Sequence, residues 1–505
     1  MSSHDTILRN AQLIDGRGNA PVTGDLAIDG DRIHRLGSVE GNGRIEIDAT
    51  GLAVAPGFID VHTHDDFAAL LYPDMGFKVL GGVTTCVVGN CGMGAAPHRP
   101  AAQMARAFHP NQRLPHWEGY GGYLDLLGRQ PPSVNVAALV GHGTLRLEAM
   151  AEPQREPSGS EMSHMKRLLQ EGLEAGAVGL SSGLIYEPGR HAKTDELAEL
   201  AAEMTGSGAL YATHMRNEGA RLLESIEEAI EIGERAGVPV QISHHKASGR
   251  ENWGLVGRSL ALIADAQARG LPVHADQYPY TAGSTVLAAV AQNNGFRPRD
   301  AVGGGSGLGR AEPADVVIAS TSAHPQWEGR SIADFAEEWG LPGQAAAEQV
   351  LAEEPMATVV IHSMSEDDVR QVMQHPSTMI GSDGIPSLEG RPHPRLYGTF
   401  ARVIGHYSRE LGLFPLEQAV HRMTGFPAAK FGLKDRGLLH EGAFADLVVF
   451  DPETILDIGS YEEPHHPPTG IHHVFVNGVQ TVRDTAHTGA RAGQPLRRSR
   501  SSADD

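Results

Sequence analysis

Two histidines, His62 and His64, close an apolar run, and their types and spacing could do chemistry. If residues 58–62 form a strand, side chains alternate between its two faces, so both imidazoles point to the same side. Two imidazoles at one strand end can bind one metal ion. A bare His-x-His pair is also common on surfaces and in cores, but the preceding Pro-Gly-Phe-Ile-Asp at 56–60 favours the metal interpretation.

Further potential ligands lie at or just beyond the ends of other apolar runs, namely Cys91, His214, His244 and Asp383. Each one alone is weak, since a single histidine at a strand end is more often a hydrogen-bonded structural residue. Together, imidazoles and a thiolate are the donors of a catalytic zinc site, which keeps one position open for water. Zinc lowers the pKa of such a water and polarises a carbonyl, and a neighbouring carboxylate can carry the proton. The residues therefore predict metal-assisted hydrolysis.

The elements that carry these residues must bring them together. Buried strands are predicted at 58–62, 84–89, 134–140, 177–180, 210–214, 240–244, 273–278 and 379–383. Helical spacing of apolar residues occurs between several of them, at 161–175, 220–236 and 259–268. This alternation predicts the α/β class and a (β/α)8 TIM-like barrel, in which chemistry lies at the carboxyl ends of the strands. An open doubly wound sheet is the alternative, although no Gly-x-Gly-x-x-Gly follows an early strand in the right setting.

The two ends of the chain have a different pattern from the middle. Residues 1–55 and 430–485 read as short strands with turns at Asp29-Gly30 and Asn477-Gly478, which predicts a small β-sandwich domain built from both termini. Residues 56–429 are predicted to form the barrel, with an insertion at about 290–350 that is either a flexible surface segment or a lid over the barrel mouth. Residues 486–505 are predicted to be a C-terminal tail that is mobile from about Arg491.

Composition excludes several classes of protein. The chain has 505 residues and a formal net charge of −21, and a short Arg497–Arg500 stretch is its one basic run, which argues against nucleic acid and anionic membrane partners. No apolar run of about 18 residues predicts a membrane span, and no signal peptide is recognisable, so we expect a cytoplasmic protein. The two cysteines, Cys86 and Cys91, are too few for a disulfide framework.

Several motifs together resemble one family. They are His-Thr-His-Asp-Asp at 62–66, Gly-Gly-Val-Thr-Thr at 81–85, Gly-Asn-Cys-Gly at 89–92, Val-Gly-His-Gly-Thr-Leu-Arg at 140–146, Gly-Leu-Ile-Tyr-Glu-Pro-Gly at 183–189, Ser-His-His-Lys at 243–246, Tyr-Pro-Tyr at 278–280 and Ile-Gly-Ser-Asp-Gly at 380–384. Over about residues 5–495 the chain resembles the N-acyl-D-amino-acid deacylase (D-aminoacylase) family of the amidohydrolase superfamily. Many relatives in the superfamily bridge two metals with a carboxylated lysine. This sequence offers Cys91 instead, which counts against a hydantoinase or dihydroorotase.

The resemblance implies a metal site with two positions. Cys91, His214 and His244 would hold one tightly bound Zn2+ ion. His62 and His64, with Asp383, would form a second, weaker position. Asp383 would also be the general acid and base. Cys86 lies inside a predicted strand and is interpreted as a buried, inert thiol.

The resemblance also implies how the substrate is held. Lys246, Tyr278, Ser284 and Arg395 would bind its α-carboxylate, with Arg391 as a rival to Arg395. Lysine and arginine can both pair with a carboxylate, and arginine can do so through two hydrogen bonds. A further residue, Tyr186, is expected to hydrogen-bond the scissile carbonyl, its alternative being an aromatic packed under the rim.

We therefore expect zinc-dependent hydrolysis of N-acyl-D-amino acids, which are small-molecule substrates. The apolar run at 285–290 favours neutral or hydrophobic side chains, whereas Arg297 and Arg299 leave D-glutamate or D-aspartate open. Another amidohydrolase, such as a dipeptidase or a cyclic-amide hydrolase, is the nearer alternative. A non-catalytic binding protein on the same scaffold is the more distant one.

Overall fold

The computed structural model describes residues 3–109, 112–292, 295–296 and 307–498. In chain order its strands are β1 Ser3–Leu13, β2 Val22–Asp29, β3 Arg32–Gly37, β4 Asn42–Asp48, β5 Ala53–Pro56, β6 Phe58–Asp60, β7 Val83–Val88, β8 Asn135–Gly141, β9 Gly179–Gly183, β10 Leu210–His214, β11 Val240–Ile242, β12 Val273–Gln277, β13 Ala282–Val286, β14 Val316–Ser320, β15 Thr358–His362, β16 Thr378–Ile380, β17 Leu447–Phe450, β18 Ile471–Val476, β19 Val479–Arg483, β20 Ala486–His487 and β21 Pro495–Leu496. The helices are α1 Ala68–Leu71, α2 Gly76–Val79, α3 His98–Phe108, α4 Gly119–Arg129, α5 His142–Ala149, α6 Gly159–Glu174, α7 Thr194–Ala201, α8 Leu222–Ala236, α9 Val256–Ala268, α10 Leu287–Gln292, α11 Ile332–Trp339, α12 Gly343–Glu353, α13 Glu366–Gln374, α14 Arg395–Arg402, α15 Leu416–Met423 and α16 Gly425–Lys430, with a π-helix at Val403–Glu410. Among the described residues, no helix has both the length and the apolar character that crossing a bilayer requires.

Eight parallel strands, β6 to β12 and β16, form a nearly closed barrel. Each pairs in parallel with the next in the order β6-β7-β8-β9-β10-β11-β12-β16. The ends of this sheet meet where the Asp383 N–H donates to the His62 carbonyl at 2.7 Å and where Thr63 bridges Gly384. The predicted barrel is confirmed, and each predicted strand segment overlaps one of its strands.

The three helices predicted from apolar spacing correspond to α6, α8 and α9. A capping box begins α6, since the Ser158 hydroxyl accepts from the Glu161 N–H while the Glu161 carboxylate accepts from the Ser158 N–H. Gly237 ends α8 with a φ of +63°, the left-handed conformation that glycine adopts without strain. Leu222 and Ile226 lie on the buried side of α8, which packs against β11 and so supports the barrel.

Strands from both ends of the chain form a second sheet of nine strands. Its order is β20-β19-β18-β17-β5-β1-β2-β3, and β4 also pairs with β1. Apolar side chains such as Leu8, Leu26, Val54 and Leu447 form its own core. The sheet is hydrogen-bonded continuously through the antiparallel pair of β5 and β17. The domain boundaries at 55 and 430 stay a prediction.

The insertion contains a folded unit. Strands β13, β15 and β14 form an antiparallel sheet in that order, which packs with α10, α11 and α12 around Val316, Ile318, Phe335 and Val350. The unit is wider than 290–350 because its flanking strands, β13 and β15, pair with each other. Part of the glycine run, Gly303–Ser306, and the arginines Arg297 and Arg299 lie outside the described residues. The role as a lid stays a prediction.

Residues 491–498 pack against the barrel, so the prediction of a mobile tail is wrong for this part. Strand β21 pairs in parallel with β8, and the Gln494 carbonyl accepts from the Val136 N–H at 2.9 Å. The Arg497 guanidinium donates to the Asp125 carboxylate at 2.7 Å. Much of this segment is held by backbone hydrogen bonds, which its polar composition does not reveal.

Candidate metal centre

Cys91 lies at the centre of the predicted metal ligands. Its Sγ is 3.4 Å from His62 Nε2, 3.7 Å from His214 Nδ1 and 3.7 Å from His244 Nε2. With zinc–sulfur bonds of about 2.3 Å and zinc–nitrogen bonds of about 2.05 Å, a tetrahedral ion holds these donors about 3.6 Å apart. Each of the three separations therefore fits one zinc ion, and all four residues are buried.

Three of the candidate ligands have an uncommon backbone conformation. The φ angles are +54° at Cys91, +36° at His244 and +49° at Asp383. Such a conformation costs a residue other than glycine about 1–3 kcal/mol, and it is concentrated at functional sites. All three residues follow the carboxyl end of a barrel strand, so the strain lies at the catalytic rim.

Asp383 brings the remaining donors together. One carboxylate oxygen is 3.4 Å from His62 Nε2 and 3.2 Å from His64 Nε2, and the other is 3.0 Å from Arg395 Nη1. Burial would raise the pKa of this carboxyl, but the charges of Arg395, His244 and His62 hold the pKa well below its ordinary value. Asp383 is therefore ionised and able to accept a proton.

The same cluster activates the thiol of Cys91. Burial would raise its pKa, but the charge of His62 and the hydrogen bonds of His214 and His244 lower the pKa well below its ordinary value. The thiolate is the form that binds metal. In contrast, burial raises the pKa of Cys86 in β7 well above its ordinary value, as expected for an inert thiol.

Sequence reasoning missed Glu218, a fully buried carboxylate behind the histidines. One oxygen lies 2.9 Å from His244 Nδ1 and accepts from Lys246 Nζ at 2.6 Å, while the other lies 3.9 Å from His214 Nε2. Burial would raise the pKa of Glu218, but Lys246 and the two histidines lower it. Carboxylates in this position orient ligand histidines. The available signal was an acid four residues after a candidate ligand.

Two further buried acids, Asp276 and Asp60, connect the strands that carry ligands, and neither was predicted. The Asp276 carboxylate accepts from the His244 N–H at 2.7 Å. The Asp60 carboxylate accepts from Lys78 Nζ at 2.7 Å and from the Ser382 N–H at 2.8 Å. The ends of β6, β11, β12 and β16 are therefore fixed relative to one another by charged hydrogen bonds.

The residues predicted to bind substrate do not all face one space. Tyr186 and Ser284 line a cavity above the metal centre. Arg395 lies behind this wall, where its Nη2 donates to the Ser284 carbonyl at 3.2 Å and its guanidinium lies 4.4 Å from the ring centroid of Tyr278. The rival Arg391 is exposed. The geometry therefore favours Arg395 over Arg391.

Lys246 has different surroundings from those predicted. Its Nζ donates to Glu218 and, at 2.8 Å, to the carbonyl of His244, and the residue is 9% exposed. The residue is absent from the described wall of the cavity. In this structure Lys246 neutralises the buried Glu218.

The cavity has a volume of about 250 Å³ and opens over Cys91 and Asp383. The Tyr186 hydroxyl lies 3.1 Å from the Thr285 hydroxyl at its polar side. Apolar side chains from the barrel loops and the insertion form much of the remaining wall, including Met93, Met104, Ile185, Val286, Met356 and Ile385. A space with apolar walls and a charged end fits a small amphipathic molecule.

A barrel with imidazole and thiolate donors at its carboxyl rim is the arrangement expected of a metal-dependent hydrolase. The amidohydrolase family matches residues 46–482 of this chain. D-aminoacylase from Alcaligenes xylosoxydans xylosoxydans is 41% identical over 98% of this chain and 98% of its own. N-acyl-D-aspartate deacylase from the same organism is 40% identical over 97% and 95%. The crystal structure of N-acyl-D-glutamate deacylase from Bordetella bronchiseptica superposes with a TM-score of 0.89 at 40% identity, over 98% of this chain and 100% of the other. That complex contains zinc and a phosphonate inhibitor that mimics the tetrahedral intermediate.

The chain belongs to the N-acyl-D-amino-acid deacylase family of the amidohydrolases.

We expect Glu218→Gln to raise the dissociation constant for zinc by about 10- to 100-fold. Glutamine keeps the shape of the side chain but removes the charge that orients the two histidines and balances Lys246. Competition with a chromogenic chelator measures the affinity. Glu224→Gln, at an exposed position of the same segment, is the matched control. Equal affinities in the two variants would contradict the role of Glu218.

Proposed function

We propose that this chain hydrolyses N-acyl-D-amino acids to a carboxylate and a free D-amino acid, with zinc as its cofactor. One observation carries the proposal: a thiolate surrounded by three imidazoles lies beside the ionised pair of Asp383 and Arg395, at the charged end of an apolar cavity. The full-length similarity to deacylases of N-acyl-D-amino acids supports the same reaction.

The donors around Cys91 suit zinc by type, and each lies at a distance from Cys91 Sγ that one ion can bridge; His62, Cys91 and His244 place one donor atom each within 4.8 Å of one another. Cys91, His214 and His244 would hold the tightly bound ion, and His62 and His64, with Asp383, would provide a second, weaker position. His62 contacts both Cys91 and Asp383, so it would lie between the two positions. Zinc bound here supplies Lewis-acid polarisation of the amide carbonyl and a water acidic enough to react near neutral pH.

Asp383 would move the proton. Its carboxylate is held ionised, so it can accept a proton from the attacking water and pass it to the nitrogen of the departing amine. Tyr186 follows the carboxyl end of β9, lines the cavity and would donate a hydrogen bond to the scissile carbonyl. Its hydroxyl is already oriented by Thr285.

Arg395, with Tyr278 and Ser284, would recognise the α-carboxylate of the substrate. Arg395 is a buried cation behind the cavity wall, with its Nη1 3.0 Å from the Asp383 carboxylate, so a substrate carboxylate bound to it would lie near the reacting amide. The family resemblance predicts the same role for Lys246. Because it is paired with Glu218, its contribution would be to the charge balance behind the metal.

The cavity walls favour a neutral or hydrophobic side chain on the D-amino acid. Among the described residues that line the cavity, none is a lysine or an arginine. An acidic side chain would therefore lose water without gaining a cation, which is unfavourable. An N-acyl-D-glutamate or N-acyl-D-aspartate deacylase remains the alternative, since relatives with those names are as similar as the D-aminoacylase.

We expect Cys91→Ala to lose its tightly bound zinc on dialysis, because the one thiolate among the donors is removed. Cys86→Ala is a matched control: it removes the other cysteine, which contacts none of the ligands, and keeps zinc at the wild-type level. Elemental analysis of the dialysed proteins measures the metal. Wild-type zinc content in Cys91→Ala would refute the ligand assignment.

We expect Asp383→Ala to keep zinc and lose turnover by at least about 100-fold, the usual contribution of a general acid and base. The comparison is with Asp367→Ala, which removes an exposed carboxylate from α13. Initial rates of amine release and metal analysis are measured on the same samples. Normal hydrolysis by Asp383→Ala would remove Asp383 from the mechanism.

We expect N-acetyl-D-leucine, D-methionine and D-phenylalanine to be hydrolysed at least about tenfold more efficiently than N-acetyl-D-glutamate and D-aspartate, because the described wall offers no cation to an acidic side chain. Comparison of kcat/KM values tests this preference, and the L-isomers serve as controls. Preference for L-isomers, or activity on cyclic amides alone, would disprove the proposed reaction. Preference for the acidic substrates would disprove the proposed specificity only.

A further inference from the structure

A second group of metal-type donors lies in the terminal sheet, outside the barrel. His4 on β1, Asp29 on β2 and His34 on β3 place one donor atom each within 4.8 Å of one another. Asp29 Oδ2 is 2.9 Å from His4 Nδ1 and 3.4 Å from His34 Nδ1. In a tetrahedral zinc site, nitrogen and oxygen donors lie about 3.3 Å apart, given bonds of about 2.0–2.1 Å. The distances from Asp29 to the two imidazoles are thus close to those between ligands of one shared zinc ion.

The carboxylate of this group is held in place by the backbone. The Asp5 N–H donates to Asp29 Oδ1 at 3.0 Å, and the Gly30 N–H donates in return to the Asp5 carboxylate at 2.9 Å. These two bonds leave the other oxygen of Asp29 directed at the imidazoles. The rings of His4 and His34 lie 5.1 Å apart and tilted by 45°, as two ligands of one ion can be.

The exposure of the three side chains leaves room for water on one side. The side chain of His4 is 7% exposed, that of Asp29 36% and that of His34 58%. The nearby cation Arg44 is paired with Asp5 at 3.5 Å and is mostly exposed, so it does not oppose a positive ion in the group. A partly open site with three ligands can complete its coordination with water.

We propose that His4, Asp29 and His34 bind a divalent transition-metal ion such as zinc. Two imidazoles and one carboxylate suit zinc, nickel and copper, and do not suit magnesium or calcium, which prefer oxygen donors. The bound ion connects β1 to the hairpin of β2 and β3. Because an ion that binds only the folded state stabilises it, zinc stabilises the terminal sheet independently of catalysis.

The test uses the full-length holoenzyme and zinc alone. Wild type, His34→Ala and Asp29→Asn are equilibrated with the same free zinc, and the bound metal is measured by equilibrium dialysis with elemental analysis. His466→Ala is the matched control, since His466 is also half-exposed and lies 3.6 Å from an acid, Glu463, but belongs to no three-donor group among the described residues.

We expect wild type and His466→Ala to bind one zinc ion more than His34→Ala and Asp29→Asn, while all four hydrolyse substrate at the same rate. Added zinc should raise the melting temperature of wild type further than that of His34→Ala. His34 is largely exposed, so its replacement leaves the fold intact, which melting of the metal-free proteins verifies. Equal zinc content in wild type and His34→Ala would overturn the proposal.

Discussion

The metal centre depends on the pairing of buried charges. An isolated charge in a protein interior costs several kcal/mol, so each buried carboxylate needs a partner close by. Three such pairs surround the ligand cluster, and their closest nitrogen–oxygen distances are 2.6, 2.7 and 3.0 Å. They are Glu218 with Lys246, Asp60 with Lys78, and Asp383 with Arg395. Each pair fixes the positions of its two side chains. The imidazoles that lie between the pairs therefore have defined orientations before any ion binds.

Closure of the barrel depends on one of these buried charges and brings site residues together. Asp60 on β6 holds the Ser382 N–H, and the Asp383 N–H reaches the His62 carbonyl, so the first and last barrel strands meet at the catalytic rim. The barrel provides the charged end of the cavity. The insertion provides part of the apolar wall through Val286 and Met356. In the proposed reaction the barrel would carry the chemistry, and the insertion would share in the selectivity.

Sequence reasoning could predict features that are local. Apolar runs predicted the barrel strands, and the residue types near the ends of those runs identified Cys91 and the histidines around it as candidate ligands. It missed Glu218, the partner of Lys246, because tertiary packing decides which charges meet in the interior. It also misjudged residues 491–498, because backbone pairing with β8 is not visible in composition. The residues expected to bind substrate came from family resemblance, and the structure gives Lys246 other partners.

Arg395 connects recognition to proton transfer in the proposed reaction. In this structure its charge is the largest influence that lowers the pKa of Asp383, which keeps the carboxylate ionised but makes it a weak base. A substrate α-carboxylate bound to Arg395 would neutralise that charge and add a negative one nearby. Both changes would raise the pKa of Asp383, so the carboxylate would become a stronger base toward the attacking water once the substrate is bound. One arginine would thus link substrate recognition to the basicity of Asp383, and only a substrate with a free α-carboxylate would produce this effect.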